Sequence, residues 1–310
     1  MSTIHVCFSA DNNYAQHLAV SIASILHHKG QERIIFSILD GGISEANKNI
    51  LYAMVEEKGT EIRFITVDEE AFRDAPIQTM QGVVAHVTIA TYFRLLLPDI
   101  LPDVDKVIYL DCDLVCRSSL LLLYEENLEQ DWIRGVMDID HTKHTERLGI
   151  QKYVCAGVLL LNLRAWREHG VEQKCMDFLR NHADRIVLHD QDVLNIVCQE
   201  HLSYLDPTWD AQACETRLGK TSGFNELAKT ANIVHFIGGR KPWHPGCKHP
   251  FRKDYFHYLR MTPYKDFEKR FLWMRVRYFF WHTKYSHGRK RWYCCGVKVW
   301  QKKDNKCYPQ

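Results

Sequence analysis

The sequence contains no uninterrupted run of eighteen apolar residues, which excludes a helix spanning a bilayer. Met1 is followed closely by IHVCFSADNNYAQHLAVSIASIL with neither a basic stretch nor a small-residue cleavage site, so no secretion signal is expected. C-x-x-C pairs are also missing. The eleven cysteines are scattered and odd in number, which is expected of reduced thiols in a cytoplasmic protein rather than of a disulfide framework or a zinc ribbon. The short segment HPGCKH (His244, Cys247, His249) supplies at most three ligands in one turn and has no partner pair, so a structural zinc is not expected there. Internal repeats and low-complexity runs are absent. What is present is a 310-residue chain, 46% hydrophobic and 25% charged, enough for one large globular domain with an appendage.

The net charge of +2 conceals an asymmetry. From Arg260 onward fourteen Lys and Arg stand against three acids, a balance of +11, and the preceding residues carry −9. A boundary is expected near Pro263, dividing a domain of residues 1–262 from a tail of residues 263–310. In the tail, FEKRFLWMRVRYFFWHTKY interleaves aromatic and basic residues. As a helix it carries too many aromatics for a solvated face and too many cations for a core, and an anionic membrane surface suits both halves. A tail helix packed on the domain with a basic outer face is the alternative. No nucleic-acid-binding signature accompanies the charge, so no nucleic acid partner is expected.

Before the tail, strand and helix patterns alternate. IHVCFSA, RIIFSILD and EIRFITVD read as strands, YAQHLAVSIASILHH as a helix, and SEANKNILYAMVEEKG as a Ser-capped helix closed by Gly59. TIATYFRLLLPDIL reads as a further helix and KVIYLDCDLV as a further strand. This order implies an α/β fold with a mostly parallel sheet covered by helices. Ligands bind such sheets beyond the carboxyl ends of the strands, which puts Ser9 to Asn13 and Asp111 to Asp113 on one rim.

Asp111 and Asp113 are two carboxylates at the end of an apolar strand, where mutual repulsion and desolvation are costly unless a cation holds them. Oxygen ligands select a hard ion such as Mn²⁺ or Mg²⁺, which keeps positions open for phosphate. A solvated turn would show the same D-x-D. In NIVHFIGGRKPWH, His235 ends an apolar run and offers a third ligand, while Gly238, Gly239 and Lys241 suit an anion. A plain strand end with a stray lysine is the bland reading. LHDQDVLN places Asp190, Gln191 and Asp192 at a helix start, where capping or another structural role is the expectation for Asp192.

Taken together, FSADNNYAQHLAVSIASIL, TYFRLLLPDIL, VIYLDCDLVC, AGVLLLNLRAW, HDQDVLN and VHFIGGRKPWH resemble, in order and interval, glycosyltransferase family 8 over roughly residues 4 to 260. The similarity is greatest to its bacterial branch, which adds α-linked galactose or glucose to lipopolysaccharide or lipooligosaccharide core. The basic aromatic tail resembles that branch's membrane-attachment segment. The resemblance implies a GT-A fold, a single nucleotide-binding Rossmann-like domain with a mixed, mostly parallel sheet, and a basic aromatic helical tail. It further implies retaining transfer from a UDP-hexose with Mn²⁺ or Mg²⁺, at the inner face of the bacterial inner membrane.

By position, Asp111, Asp113 and His235 match the metal ligands of that family, with Cys112 between the two aspartates. Ser9, Ala10, Asp11 and Asn13 match the uridine loop, and Gly238 and Lys241 match the diphosphate contacts. Arg94 matches the arginine near donor sugar and diphosphate, while Asp190 and Gln191 match the sugar-binding pair and the catalytic position. Tyr14 stands where an aromatic often follows the uridine loop. His86 and Asp138 align with acceptor residues. Cys155, beside Ala156 in CAGV, replaces an amide that contacts the donor sugar, and a thiol is a poor hydrogen-bonding substitute.

Two other classes compete. Asp111-x-Asp113 also resembles the nucleophile motif of haloacid-dehalogenase-type phosphatases, although that motif normally opens its fold. A membrane-surface adaptor with a degenerate α/β domain would use the tail and tolerate Cys155.

Overall fold

A computed structural model describes residues 3–73, 75–76, 88–214, 227, 229–286 and 289–303. Strands Thr3–Ala10 (β1), Arg33–Asp40 (β2) and Glu61–Thr66 (β3) pair in parallel, and β1 also pairs in parallel with Lys106–Leu110 (β4). The helices Ala15–His28 and Glu45–Glu56 make the crossovers that parallel pairing requires. Ser44 caps the second by accepting from the Asn47 amide at 3.3 Å, and Gly59, at φ +61°, follows its end.

The chain next forms Leu114–Cys116 (β5), Ile133–Met137 (β6), Val154–Asn162 (β7) and Leu202–Tyr204 (β8). Seven strands build the main sheet in the order β3-β2-β1-β4-β7-β6-β8. Strand β7 runs antiparallel to both neighbours, so the sheet is mixed, parallel from β3 through β4 and again between β6 and β8. All nine residues of β7 are buried, as its sequence VCAGVLLLN demands of a strand covered on both faces. Three apolar cores result among the described residues: one includes Phe8, Leu18, Phe36 and Ile108, another Tyr92, Tyr109, Leu159 and Trp166, and a third Val115, Phe236, Phe256 and Phe271.

A smaller sheet sits at the rim. Ala211–Ala213 (β9) and Ile233–Phe236 (β10) join β5 in the order β5-β10-β9. The segment KVIYLDCDLV is therefore two strands in two different sheets, with Asp111 to Asp113 as the crossing point. A single continuous strand would have turned the two aspartates toward one face of one sheet.

Two further expectations are modified. TIATYFRLLLPDIL is mainly a 3₁₀ helix, Ile89–Leu96, passing into one α-helical turn at Leu97–Ile100. Pro98 has no amide hydrogen to donate back to Arg94, so the ordinary α-helical ladder cannot run through that point. The tail is only half helical. Helix Phe267–Phe280 leads into an antiparallel meander of Trp281–Ser286 (β11), Arg289–Cys294 (β12) and Val297–Lys303 (β13). Aromatic and β-branched residues such as Trp292, Tyr293, Val297, Val299 and Trp300 favour strands there.

No described helix is long and apolar enough to cross a membrane. The ten described cysteines are free thiols.

Candidate active site

The parallel pairing of β1 with β4, in register Phe8 to Leu110, sets the carboxyl ends of the two strands side by side. Helix Ala15–His28 braces the crossing point from behind. The Ser21 hydroxyl lies 2.9 Å and 2.8 Å from the carbonyl oxygens of Cys112 and Leu114, on either side of Asp113. Cys112 turns inward, its thiol 3.2 Å from the Ser9 carbonyl, so the two aspartates project while the residue between them is buried.

His235 reaches Asp113 through strand register. β10 pairs antiparallel with β5, opposing His235 to Leu114, and the Phe236 amide donates to the Asp113 carbonyl at 2.9 Å. A one-residue slip would turn His235 to the other face of the sheet. As paired, its Nε2 lies 3.3 Å from Asp113 Oδ1 and 3.8 Å from Asp111 Oδ2. Gly157 makes room for the ring.

Two oxygens and one imidazole nitrogen within 4.8 Å of one another form a donor set of the kind that holds Mn²⁺ or Mg²⁺. Fixed cations surround them. Lys241 Nζ lies 2.5 Å from Asp113 Oδ2, and Arg94 donates to Asp111 Oδ1 at 2.9 Å. Burial alone would raise the Asp113 carboxyl, but Lys241 and His235 outweigh it and hold it well below the usual carboxylate range. Burial alone would lower His235, and here Asp210 and Asp113 win, raising it well above its ordinary value.

Beside this cluster is a cavity of about 220 Å³ whose lining includes Arg94, Asp111, Ala156, His189, Asp190 and Gln191. Arg94 organises it. Its guanidinium donates to the Ala156 carbonyl at 2.6 Å, pairs with Asp190 at 3.0 Å and stacks over Tyr109 at 4.0 Å. Asp190 also accepts from the Thr91 hydroxyl at 2.5 Å, and burial raises its carboxyl against the pull of Arg94. His189, just before it, has a left-handed φ of +51°, uncommon for residues other than glycine although histidine adopts it more readily than most.

The Gln191 amide is fixed at both ends, its oxygen accepting from the Ala156 amide at 2.9 Å and its nitrogen donating to Asp138 at 3.1 Å. Asp138 is thus beside Gln191, with burial raising its carboxyl. Asp192 accepts from the Val187 and Leu188 amides, Arg147 and the Tyr153 hydroxyl, the structural role expected of it.

On the β1 side, Asp11 accepts from the Asn13 and Tyr14 amides, and Ser9 donates to the Ala90 carbonyl at 2.6 Å. Ala10 is the last residue of β1, and Tyr14 packs edge-on against Trp243. Gly238 takes φ +79°, open to glycine and strained for most residues. His86 lies outside the described residues. In HPGCKH, His244, Cys247 and His249 contact the backbone of Lys241, Arg240 and Ala213 respectively, and they form no metal-ligand cluster.

Sequence reasoning missed Asp210 and Gly157. Asp210 Oδ1 lies 3.1 Å from His235 Nδ1, on the side of the ring away from Asp113. No local pattern announces it. Cys155 also faces this nitrogen, at 3.9 Å, and burial pushes its thiol up.

Residues 5–247 match the sequence profile of Glycosyl transferase family 8. General stress protein A of Bacillus subtilis is 32% identical over 275 residues, covering 84% of this chain and 94% of that protein. A lipopolysaccharide 1,3-galactosyltransferase of Salmonella typhimurium is 26% identical, covering 84% of this chain and 79% of its own. Among solved structures, the galactosyltransferase LgtC in complex with donor and acceptor sugar analogs superposes with a TM-score of 0.73 at 29% identity, covering 84% of this chain and 96% of that one. The phosphatase reading of Asp111 has no place beside a family match that spans both aspartates and His235. The chain belongs to glycosyltransferase family 8 and has the mixed α/β GT-A fold.

Proposed function

We propose that the protein transfers galactose or glucose from a UDP-sugar, with retention, to the core oligosaccharide of lipopolysaccharide or lipooligosaccharide, forming an α linkage. The observation that carries this reading is the convergence of Asp111, Asp113 and His235 beside a cavity on whose wall Asp111 stands with Arg94, Asp190 and Gln191. Asp111, Asp113 and His235 would hold a divalent cation, which supplies Lewis-acid stabilisation of the departing diphosphate when bound. Lys241 and Arg94 add fixed positive charge at the same place, where negative charge develops on the leaving group. Ser9, Ala10, Asp11 and Asn13 border the uridine end, Gly238 the diphosphate, and Asp138 the acceptor.

A double displacement needs a free carboxylate on the face opposite the leaving group. The Asp190 carboxylate is engaged by Arg94 and Thr91, and the Gln191 oxygen already accepts a backbone amide. Both are therefore poor nucleophiles, and substitution on one face, with the departing phosphate taking the acceptor's proton, suits them better.

The tail serves as a membrane contact in this reading. Phe271 is buried against Phe256, with Phe267 and Met274 beside it, so one apolar stripe of helix Phe267–Phe280 packs on the domain. A second stripe, with Leu272, Trp273, Val276, Phe279 and Phe280, is more than half exposed at every position. In the meander, Arg289 opposes Lys303 and Lys290 opposes Lys302, like-charged pairs that an anionic surface would relieve. These features favour attachment to the inner face of the bacterial inner membrane over a solvated tail.

The test is a donor screen in which UDP-galactose and UDP-glucose are offered with truncated core oligosaccharide, with and without Mn²⁺. Metal-dependent formation of one α-linked product is expected. Failure of every UDP-hexose, or an inverted linkage, sinks the proposal.

A further inference from the structure

Behind His235, opposite the aspartate pair, is a third carboxylate whose placement has no evident structural reason. Asp210 immediately precedes β9, and parallel pairing of β9 with β10 brings it beside His235. Its side chain is fully buried. Oδ1 meets Nδ1 of His235 at 3.1 Å, while buried Oδ2 makes no hydrogen bond among the described residues. A buried carboxylate needs hydrogen-bond partners, and among the described residues the imidazole is the one side chain that supplies one.

Binding a metal through Nε2 requires the ring to give up the proton on that nitrogen and to keep its other N–H on Nδ1. On the Nε2 side, Asp113 at 3.3 Å and Asp111 at 3.8 Å both attract the ring proton. Left to those two, the ring would keep Nε2–H and turn its lone pair away from them. A carboxylate at Nδ1 opposes that pull. We propose that Asp210 is a positioning residue, which retains the proton on Nδ1 of His235 and so presents Nε2 as a ligand toward Asp111 and Asp113.

Gly157 and Cys155 complete the arrangement. A Cβ on Gly157 would fall 2.6 Å from Nδ1, so only glycine lets the ring stand where Asp210 can reach it. The Cys155 thiol, a weak acceptor 3.9 Å from the same nitrogen, does not displace the carboxylate. The proposal rests on Asp111, Asp113 and His235 binding a divalent cation, and that premise is measured separately in the same experiment.

Mn²⁺ binding is titrated by electron paramagnetic resonance for the full-length protein, Asp210→Asn and Asp210→Ala, with circular dichroism to establish that each is folded. Turnover is then followed against Mn²⁺ concentration. Carboxylates that accept the other ring N–H of a ligating histidine contribute about 10- to 100-fold in metal affinity, so Asp210→Ala should weaken Kd by about that factor. Asp210→Asn keeps an oxygen that can accept from Nδ1–H and should fall between the two. The apparent KM for Mn²⁺ should rise in step with Kd, with kcat at saturating Mn²⁺ largely retained, a split that general loosening of the fold does not produce.

Should Asp210→Ala not fold, the near-isosteric Asn variant decides the matter by its weaker Kd. Equal affinities in wild type and folded variants overturn the positioning role and leave the metal site standing. Absence of Mn²⁺ binding to wild type overturns both.

Discussion

Gly157 and His235 occupy the same space, because a Cβ added to the glycine would stand 2.1 Å from Cε1 of the imidazole. Backbone on β7 and side chain on β10 are thus packed without room for a methyl group. Gly157→Ala should push the ring away from Asp113 and weaken Mn²⁺ binding at least tenfold, with a stability loss of about 1–3 kcal/mol from overpacking. Mn²⁺ titration and urea denaturation check both. A variant with wild-type affinity would show that the ring need not sit there.

Asp113 is held by Lys241 and His235, so removing its charge disturbs a network and not a single contact. Asp113→Asn should lower kcat by about 10²-fold or more, comparable to loss of a principal electrostatic group in other enzymes. It should also abolish the additional thermal stabilisation that Mn²⁺ gives in the presence of UDP. Differential scanning fluorimetry with UDP, with Mn²⁺ and with both separates these effects from unfolding.

A pH dependence is expected far from the site. Glu172, in the first turn of helix Val171–Asn181, has its carboxyl raised to about 7 by burial and then by the neighbouring Asp99. Its ordinary value is 4.5, so between those two pH values the folded chain holds a proton that the unfolded chain releases. Stability from this group is present at low pH and is lost as pH rises toward 7. Glu172→Gln should therefore melt at a higher temperature than wild type at pH 8 and at a similar temperature near pH 4. Identical melting curves at pH 8 would contradict the shift.

Exposed tail residues can be changed without touching the domain's core. Trp273→Ala combined with Phe280→Ala removes side chains that are 63% and 56% exposed, leaving buried Phe271 in place. Co-sedimentation with phosphatidylglycerol vesicles should fall several-fold, while transfer to a soluble acceptor continues at the wild-type rate. Undiminished vesicle binding would count against the membrane role of this stripe.

The sequence alone determined the alternation of strand and helix through period-2 and period-3.6 apolar patterns, the capping of Glu45–Glu56 by Ser44, the charged tail and the carboxylate pair after an apolar strand. These are local properties, set by residues a few positions apart. Tertiary structure decided that the D-x-D segment bridges two sheets, that β10 pairs with β5 in the register bringing His235 to Asp113, and that Asp210 stands behind the ring. It also turned half of the tail into a meander. Asp210 and His235 lie 25 positions apart and Asp113 and Lys241 lie 128 apart, and neither pair follows a local pattern. Their meeting depends on which strand edges pair and in what register, and that is fixed by burial of the whole sheet.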